Sequence, residues 1–349
     1  MTGLRASIGG RLIAAGLATL SALAGRSSMD AVLSLGGGLG RAWHRIGGWR
    51  TRRVHQQLAR AFPEHDAEWV RRCSEGVFVH LGRGLAELVL LRSGHRAALL
   101  DRVCIEGLEH LEAARRASAT GGVLVVTAHL GNWELAAARV ASLGLPISVV
   151  YRGLRSPALD EALKGLRVGA GTGSGPAAPA PDPDFEQLAM GRAGLGVIRA
   201  LRRGRLVLVL LDQNARRSEG VFVPFFGRPA STRVGPARIA RALDVPVVPA
   251  SIVRTPDGRR HRIRIEPALS LAAASSGGSE RSPASQGAAE SGDEPERLAL
   301  QRDVAEMTAV LERWIRESPD QWIWTHGRWR TRPRESDYPL GSPAGHSTV

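Results

Sequence analysis

The chain has 349 residues, 43% of them hydrophobic, and a formal net charge of +14. It is long for one domain, and its apolar content is sufficient to bury a sizeable core. Lys164 is the single lysine, so 47 − 1 = 46 of the basic residues are arginine, a bias that a GC-rich genome also produces. The excess positive charge favours anionic partners: nucleic acid, lipid head groups or an acidic carrier protein.

The arginines are spread along the chain, and the sequence contains no zinc-finger spacing, no basic region followed by heptads and no RNA-binding aromatic signature. We therefore expect no nucleic-acid partner. Cys73 and Cys104 are the two cysteines, which is too few for a disulfide framework or a metal cluster. The strand-like run around Cys104 predicts that its thiol is buried.

The N-terminal part contains two apolar stretches, residues 12–25 and 31–39. The first follows two arginines and is shorter than the roughly 20 residues that a membrane-spanning helix needs. Arginines follow the second stretch at positions 41, 45, 50, 52 and 53. We predict that residues 1–45 form helices lying on a membrane face, with these arginines against anionic lipid. The alternatives are a signal peptide and an ordinary helical hairpin on a soluble core.

In chain order, the hydrophobic pattern predicts helices up to about residue 100 and alternating strands and helices after it. The main predicted helices are 54–62, 66–91, 133–143, 157–166, 198–203, 232–243 and 298–316. The predicted strands are 103–105, 122–127, 147–151, 206–211, 245–253 and 261–265. This order is typical of an α/β fold with a largely parallel central sheet covered by helices, here preceded by the membrane-associating helical part.

Two segments lack apolar periodicity: 169–183 is rich in Gly, Ala and Pro, and 272–296 is rich in Ser, Gly, Ala and Glu. Neither can bury enough apolar surface to fold alone, so both are predicted to be flexible insertions. They interrupt one predicted domain, residues 46–335. Residues 336–349 are predicted to form a disordered tail.

The run VLVVTAHLGNWE, residues 123–134, ends an apolar strand on a histidine. The carboxyl end of a sheet strand is where α/β proteins place their sites. His129 and Glu134 are five residues apart, so they meet only if the chain turns at Gly131 and Asn132. A carboxylate held against one imidazole nitrogen would leave the other nitrogen free to take a proton.

The sequence contains no Gly-x-Ser-x-Gly elbow, and neither cysteine has suggestive neighbours. The predicted nucleophile is therefore the hydroxyl of the substrate, with His129 as general base. The structural alternative is a strand-end histidine bonded to a backbone carbonyl and a Glu134 placed in the first turn of a helix, where the helix dipole favours it. The spacing alone leaves both open. A metal site is disfavoured because no His-Glu-x-x-His motif is present.

Further motifs accompany this run in a fixed order. They are RAFPE and HLGRGLAE (60–64 and 80–87), YR followed by Pro157 and Asp160, DQN with VFVPFFG and ST (212–214, 221–227 and 231–232), and DQWIWTHGRWRTRP (320–333). Together with TAHLGNWE they resemble the late acyltransferases of lipid A biosynthesis, the lauroyl/myristoyl acyltransferases of the lysophospholipid acyltransferase superfamily. The resemblance covers most of residues 50–335.

The resemblance implies direct acyl transfer from a thioester, usually on acyl carrier protein, to a hydroxyl of a lipid acceptor, without a metal or a prosthetic group. It implies that His129 is the general base and Glu134 its partner. Arg152 and Asp212 would support the active site. The structural alternative for Arg152 is a surface arginine. For Asp212 it is a strand-end carboxylate that caps a turn.

Other residues of the matching blocks are expected to bind substrate. Asn132 and Arg328 are predicted substrate contacts. Phe222, Phe225 and Phe226 are predicted to help line a hydrophobic slot for acyl chains, with ordinary core packing as the alternative.

The resemblance also implies a location at the cytoplasmic face of the inner membrane, with anionic membrane lipid and a glycolipid acceptor as partners. The two insertions, and Asn214 where the family often has an acid or a histidine, leave the acceptor open, because related enzymes acylate phosphatidylinositol mannosides or other glycolipids. The alternatives are acyl-CoA-dependent acylation of a glycolipid or lysophospholipid, and a non-catalytic basic protein that binds membranes or nucleic acid.

Overall fold

The structure is a computed structural model that describes residues 16–151, 185–189, 193–271, 294–334 and 337. Several predicted features lie outside these residues. They are residues 1–15 of the predicted membrane-associating segment, Arg152, the helix 157–166, the insertion 169–183, the insertion 272–296 apart from its last three residues, and the tail 336–349 apart from Asp337.

The helices of the described residues are numbered in chain order. They are α1 (16–26), α2 (Met29–Ile46), α3 (Trp49–Ala61), α4 (Ala67–Leu90), α5 (Arg96–Asp101), α6 (Leu108–Ala117), α7 (Trp133–Ala141), α8 (Ala193–Arg202), α9 (Gly235–Leu243) and α10 (Glu294–Glu317). Polar caps set the starts of the long helices: Ser28 Oγ accepts from the Ala31 N–H of α2, and Asp66 Oδ1 from the Trp69 N–H of α4. Such caps satisfy backbone donors that have no partner within the helix.

The strands are β1 (Val103–Glu106), β2 (Val123–Thr127), β3 (Ile147–Tyr151), β4 (Phe185–Ala189), β5 (Leu206–Leu210), β6 (Gly220–Phe225), β7 (Arg228–Arg233), β8 (Val247–Arg254) and β9 (His261–Ile265). Seven of them form a sheet in the order β1-β9-β8-β2-β5-β3-β4. All neighbours in this sheet are parallel except β8 and β9. The predicted α/β fold with a largely parallel sheet is confirmed.

The sheet separates two hydrophobic cores. Along β2, Val123 and Val125 point into a core with α2, α5, α6 and α7, whereas Leu124 and Val126 point into a core with α3, α8, α9 and α10. Every residue of β2 is buried, as expected for a central parallel strand covered on both faces. The unbroken apolar run of β2 therefore has a structural cause.

The N-terminal helices pack against α4 by close backbone approach. A Cβ at Gly40 would lie 2.1 Å from the Phe78 carbonyl oxygen, and a Cβ at Gly82 would lie 2.1 Å from the Gly36 carbonyl oxygen. The opposite side of α2 leaves Leu39 exposed. None of the helices in the described part of the chain has the length together with the apolar composition that crossing a bilayer requires.

Several local predictions need correction. β7 reaches Arg233 and α9 begins at Gly235, so the helix predicted from residue 232 starts three residues later. The hairpin β6–β7, strand β4 and helix α6 were not predicted. Cys104 is exposed, so the prediction that its thiol is buried is wrong. The helix α10 starts at Glu294, inside the end of the predicted insertion.

Candidate active site

The register of the sheet brings His129 and Asp212 together. Thr127, the last residue of β2, lies opposite Leu210, the last residue of the parallel strand β5. Two residues further along each strand, the chain reaches His129 and Asp212. Their side chains therefore meet at the carboxyl edge of the sheet, although they are 83 residues apart in sequence.

Asp212 binds His129 through both carboxylate oxygens. Oδ1 lies 2.8 Å from His129 Nδ1, and Oδ2 accepts from the His129 backbone N–H at 2.9 Å. Oδ2 also accepts from Trp322 Nε1 at 2.6 Å. Burial by itself raises the pKa of Asp212, but the attraction of His129 and these hydrogen bonds outweigh it and hold the pKa at about 2. Asp212 is therefore an ionised carboxylate at neutral pH.

The Asp212 contact defines the tautomer of the neutral His129 ring. An ionised carboxylate accepts the Nδ1 proton, so Nε2 carries a lone pair. The His129 side chain is 17% exposed, and the Gln213 side-chain nitrogen lies 3.3 Å from Nε2. Because Nε2 is an acceptor, the Gln213 amide N–H donates to it. The ring thus presents its basic nitrogen beside Gln213.

Glu134 takes a different position from the predicted one. The carboxylate on the Nδ1 side of His129 belongs to Asp212, which corrects the prediction that Glu134 is its partner. Glu134 Oε1 accepts from Trp133 Nε1 at 3.2 Å, and the Trp133 ring packs edge-on against His129 with centroids 4.8 Å apart. The spacing in sequence favoured Glu134, but Asp212 occupies the Nδ1 side of the ring, and Glu134 lies in the first turn of α7.

The loop that carries His129 is held by the C-terminal segment. The Ile323 N–H donates to the His129 carbonyl at 3.2 Å, and the Gly131 N–H donates to the Gln321 carbonyl at 3.0 Å. Gly131 has φ of +60°, and a Cβ there would lie 2.0 Å from the Ile252 carbonyl oxygen. Only glycine fits this position, so the motif glycine serves a close approach between the loop and β8.

Asn132 has an internal role instead of the predicted contact with substrate. It is buried and caps α7, with Oδ1 accepting from the Leu135 N–H at 3.1 Å. Its Nδ2 donates to Glu87 Oε2 at 2.8 Å. Glu87, on α4, also accepts from both Arg254 Nη atoms at 2.6 and 2.9 Å, and its Oε1 lies 2.7 Å from His261 Nε2.

This buried cluster keeps Glu87 ionised. Burial raises its pKa, but the charges and hydrogen bonds of His261 and Arg254 outweigh burial and hold the pKa of Glu87 far below its usual range. A carboxylate can be buried when charged and hydrogen-bonding partners surround it, whereas a buried carboxylate without partners would strongly destabilise the fold. The cluster therefore anchors the Asn132 end of the His129 loop to α4.

Arg328 also has an internal role instead of the predicted substrate contact. Its side chain is fully buried, donates to the Ser231 carbonyl at 2.7 Å and packs over the Phe225 ring at 4.8 Å. Nη1 lies 3.4 Å from the Gln213 carbonyl. Burial lowers the pKa of Arg328 to about 10, against an opposing attraction to Asp212. Arg328 therefore helps to hold the segment after β5 in place through these contacts.

The three predicted slot residues are buried in the core. Phe225 and Phe226 pack together with ring centroids 5.0 Å apart, next to Trp322 and Trp324. Phe222 is buried below the Arg217 guanidinium, 5.4 Å from its ring centroid. In this structure they follow the core-packing alternative, and contact with an acyl chain stays a prediction.

His326 lies near the site, and the sequence motifs predict no role for it. Its Nε2 accepts from the Asn214 backbone N–H at 3.1 Å. Burial lowers the pKa of His326 to about 4, and the charge of His129 acts in the same direction, partly offset by Asp212. The Asn214 side chain bonds to Thr331 and holds the same loop. Only the tertiary fold reveals this link, since Asn214 and Thr331 are 117 residues apart.

Comparisons with known proteins identify the family of the chain. Residues 8–331 match the family described as bacterial lipid A biosynthesis acyltransferase. The lipid A biosynthesis lauroyltransferase of Escherichia coli (strain K12) is 27% identical over 307 residues, which cover 86% of each chain. The lipid A biosynthesis palmitoleoyltransferase of the same strain is 25% identical over 282 residues, 80% of this chain and 78% of the relative.

Another relative is named for a different lipid. The phosphatidylinositol mannoside acyltransferase of Mycobacterium tuberculosis (strain ATCC 25618 / H37Rv) is 30% identical over 173 residues, half of each chain. All three relatives are named as acyltransferases, and the resemblance inferred from the sequence blocks is confirmed. The chain therefore belongs to the bacterial lipid A biosynthesis acyltransferase family and is an O-acyltransferase.

Proposed function

We propose that the chain moves a fatty acyl group from a thioester on acyl carrier protein to a hydroxyl of a lipid A precursor, with His129 as the general base. The observation that carries the proposal is the 2.8 Å contact between His129 Nδ1 and the buried, ionised Asp212. This contact leaves Nε2 as an acceptor on a ring that is partly open to solvent. A positioned base of this kind contributes about 10²–10⁴-fold to proton-transfer reactions.

The proposed reaction has two steps. First, the acceptor hydroxyl oxygen attacks the thioester carbon, its proton passes to His129 Nε2, and the carbonyl oxygen takes the negative charge. Next, the carbonyl re-forms, the carbon–sulfur bond breaks, and the departing thiolate takes the proton from Nε2. Asp212 stabilises the imidazolium that exists between these steps. No acyl group is attached to the protein at any point.

Glu134 and Arg152 are further proposed members of the site. Glu134 would act through Trp133, whose N–H it accepts and whose ring packs against His129. Arg152 follows the last residue of β3, and β3 neighbours β5 in the sheet. A cation after the carboxyl end of β3 would suit the phosphate groups of either the donor or the acceptor.

The donor and the membrane are both matched by the charge of the chain. A net charge of +14 complements an acidic carrier protein and anionic lipid, and complementary charge accelerates association. We propose acyl carrier protein as the donor on this ground, with acyl-CoA as the alternative.

A membrane-facing surface is proposed on the N-terminal helices. Leu35, Leu39, Trp43 and Ile46 follow one another along one side of α2, and all four are exposed. Trp49 continues this surface at the start of α3, with the guanidinium groups of its neighbours Arg50 and Arg53 4.5 and 4.7 Å from its ring centroid. Exposed leucines flanked by tryptophan and arginine suit the boundary between acyl chains and head groups. We therefore propose that the chain lies at the cytoplasmic face of the inner membrane.

A phosphatidylinositol mannoside is the second candidate acceptor. Its support is the 30% identity over half the chain to an acyltransferase named for that lipid. The chemistry at His129 would be unchanged, since either acceptor presents a hydroxyl to the base.

The test is a transfer assay with purified full-length protein in mixed micelles. The donors are labelled acyl carrier protein thioester and acyl-CoA. The acceptors are a lipid A precursor that lacks its secondary acyl chains and a phosphatidylinositol mannoside. We expect labelled lipid A from the carrier-protein thioester, identified by mass spectrometry, and none from the His129→Ala variant. Failure to label either acceptor from either donor would refute the proposed function.

A further inference from the structure

The Gln213 side chain occupies the position that the reacting hydroxyl must reach. Its amide nitrogen is 3.3 Å from His129 Nε2, just beyond the roughly 2.6–3.2 Å at which a base holds the group whose proton it takes. In the structure this donor therefore satisfies the Nε2 lone pair. A substrate hydroxyl has to displace the amide from Nε2 before its own proton can be transferred.

The backbone around Gln213 is fixed, so displacement moves the side chain alone. On one side, Asp212 is buried and bonded to His129 and Trp322. On the other side, the Asn214 N–H donates to His326, and its side chain bonds to Thr331. The Gln213 side chain itself is half-buried. A displaced amide therefore remains next to His129.

Resting on the proposed function, we propose that Gln213 is a hydrogen-bond donor for the reaction: once displaced from Nε2, its amide donates to the thioester carbonyl oxygen as that oxygen becomes negative. The attacking hydroxyl oxygen lies within about 3.5 Å of the carbonyl carbon at the start of the reaction. The oxygen of that carbonyl is therefore within reach of an amide that has just left Nε2.

The chemistry of the amide suits this role. A neutral donor stabilises the oxyanion and cannot exchange its proton with the base, unlike a lysine or a histidine. Trp133, another donor beside His129, gives its N–H to Glu134. When the carbonyl re-forms and the thiolate leaves with the proton from Nε2, the amide is free to return to Nε2. No atom of Gln213 is consumed.

The experiment compares three variants with one control, using the transfer assay described above. Gln213→Ala removes the donor. Gln213→Asn keeps an amide donor on a side chain that is shorter by one methylene, and Gln213→Glu replaces the donor with an acceptor. Gln187→Ala is the control, because Gln187 is also a half-buried glutamine and lies on the edge strand β4. Melting temperature is measured for every protein.

We expect kcat of Gln213→Ala to fall by roughly 10²–10³-fold, the effect of removing one oxyanion donor, with the donor KM changed only a few-fold. Gln213→Asn should be intermediate, and the Gln187→Ala control should keep wild-type kcat. Gln213→Glu should also lose kcat, and its rate–pH profile should move. A carboxylate beside Nε2 stabilises the imidazolium, so the acid limb should shift upward by about one pH unit or more.

Among the residues that the structure describes, the other groups around His129 are the same in every variant: Asp212 on Nδ1, His326 in the C-terminal loop and Glu134 on Trp133. Arg328, which attracts Asp212, is also unchanged. The shift in Gln213→Glu therefore reports the new carboxylate and tests whether the side chain at position 213 lies beside Nε2, whereas the fall of kcat at nearly constant KM in Gln213→Ala tests the donor role.

Two results would overturn the inference. One is a folded Gln213→Ala with kcat within about threefold of the wild type, and the other is an unmoved acid limb in Gln213→Glu. If Gln213→Ala does not fold, Gln213→Asn and Gln213→Glu decide by the same criteria. Loss of transfer in the wild type itself would instead defeat the proposed function, so the two failures are distinguishable.

Discussion

The role of His129 depends on which carboxylate holds its ring. Asp212 contacts both the ring Nδ1 and the backbone N–H of His129, so it fixes the position of the residue as well as the tautomer. Glu134 accepts from the N–H of Trp133, whose ring packs against His129. The two acidic residues therefore affect the base in different ways, and their variants should be separable by kinetics.

For this reason we expect His129→Ala and Asp212→Asn each to lower kcat by at least roughly 10²-fold. Asp212→Asn should also move the acid limb of the rate–pH profile to lower pH, because the imidazolium loses its counter-charge. Glu134→Gln should lower kcat and leave that limb in place. The measurement is acyl transfer from a labelled thioester across a pH series.

The double variant His129→Ala/Asp212→Asn supplies the internal check. Both residues act through one proton transfer, so the double variant should be little worse than His129→Ala alone. An acid limb that moves in Glu134→Gln and stays in Asp212→Asn would contradict the pairing proposed here.

At the scale of elements, much of the α/β part follows from the sequence. The apolar runs at 122–127 and 206–211 predict the central strands β2 and β5, because both faces of a parallel sheet are buried and the pattern becomes continuous. The long helix predicted at 66–91 is found as α4 over Ala67–Leu90. Length, caps and periodicity are local properties, and for these elements they agree with the fold.

The partner of His129 is a non-local property. His129 and Asp212 come together because β2 and β5 are neighbours in the sheet, and strand order cannot be read from spacing. The hairpin β6–β7 could not be predicted from the sequence for a different reason. Its two-residue turn is Phe226–Gly227, both with positive φ, where Asn–Gly is the usual signal. Burial of Phe226 among aromatic rings stabilises an unusual turn residue.

The loop glycine gives a prediction at this scale. Gly131→Ala should destabilise the protein by at least roughly 3 kcal/mol, because the methyl group meets the Ile252 carbonyl in addition to the cost of positive φ. It should also reduce kcat, since His129 lies two residues away. Thermal or urea unfolding measures the first effect and the transfer assay the second.

Gly144→Ala is the matched control. Gly144 also has positive φ, +72°, but a Cβ there meets no atom within 4 Å. Gly144→Ala should lose only the stability that a non-glycine residue at positive φ costs, about 1 kcal/mol, and kcat should be normal. Equal losses in the two variants would show that the contact with Ile252 is unimportant.

At the scale of the whole molecule, the apolar side of α2 and the start of α3 predicts how the chain meets lipid. The double variant Leu35→Asp/Leu39→Asp changes two side chains that are 66% and 64% exposed, so the melting temperature should hardly change. Binding to anionic vesicles should weaken roughly tenfold or more, because two leucines lose their apolar burial in the membrane. Vesicle co-sedimentation in low salt measures this.

Leu143→Asp/Leu195→Asp serves as the control, since both leucines are exposed but lie outside α2 and α3. This variant carries the same added charge and should bind vesicles like the wild type. Equal weakening in both double variants would attribute the loss to net charge, and the proposed membrane face would be wrong.

Two histidines, the buried His80 and the half-buried His326, predict how the stability of the whole molecule depends on pH. Burial lowers the pKa of His80 to about 4, with the charge of Arg254 acting in the same direction, and His326 has a pKa of about 4 as well. In the unfolded chain both should titrate near 6.5. Between pH 6.5 and 4 the unfolded state therefore binds more protons than the folded state, so stability should fall as the pH is lowered through this range.

Each of these histidines should contribute about 1 kcal/mol per pH unit to the slope. Asp212 and Glu87 act in a lower pH range: their folded-state pKa values are depressed, so the stability that they contribute is present above about pH 4 and is lost as the pH falls further.

Urea unfolding at half-unit steps from pH 7 to 4.5 isolates the histidine part. His80→Gln and His326→Gln should each flatten the curve, since neither variant can take up a proton at that position. A wild-type stability that is level from pH 6.5 to 4.5, or a slope that both variants retain in full, would contradict the neutral state assigned to these two rings.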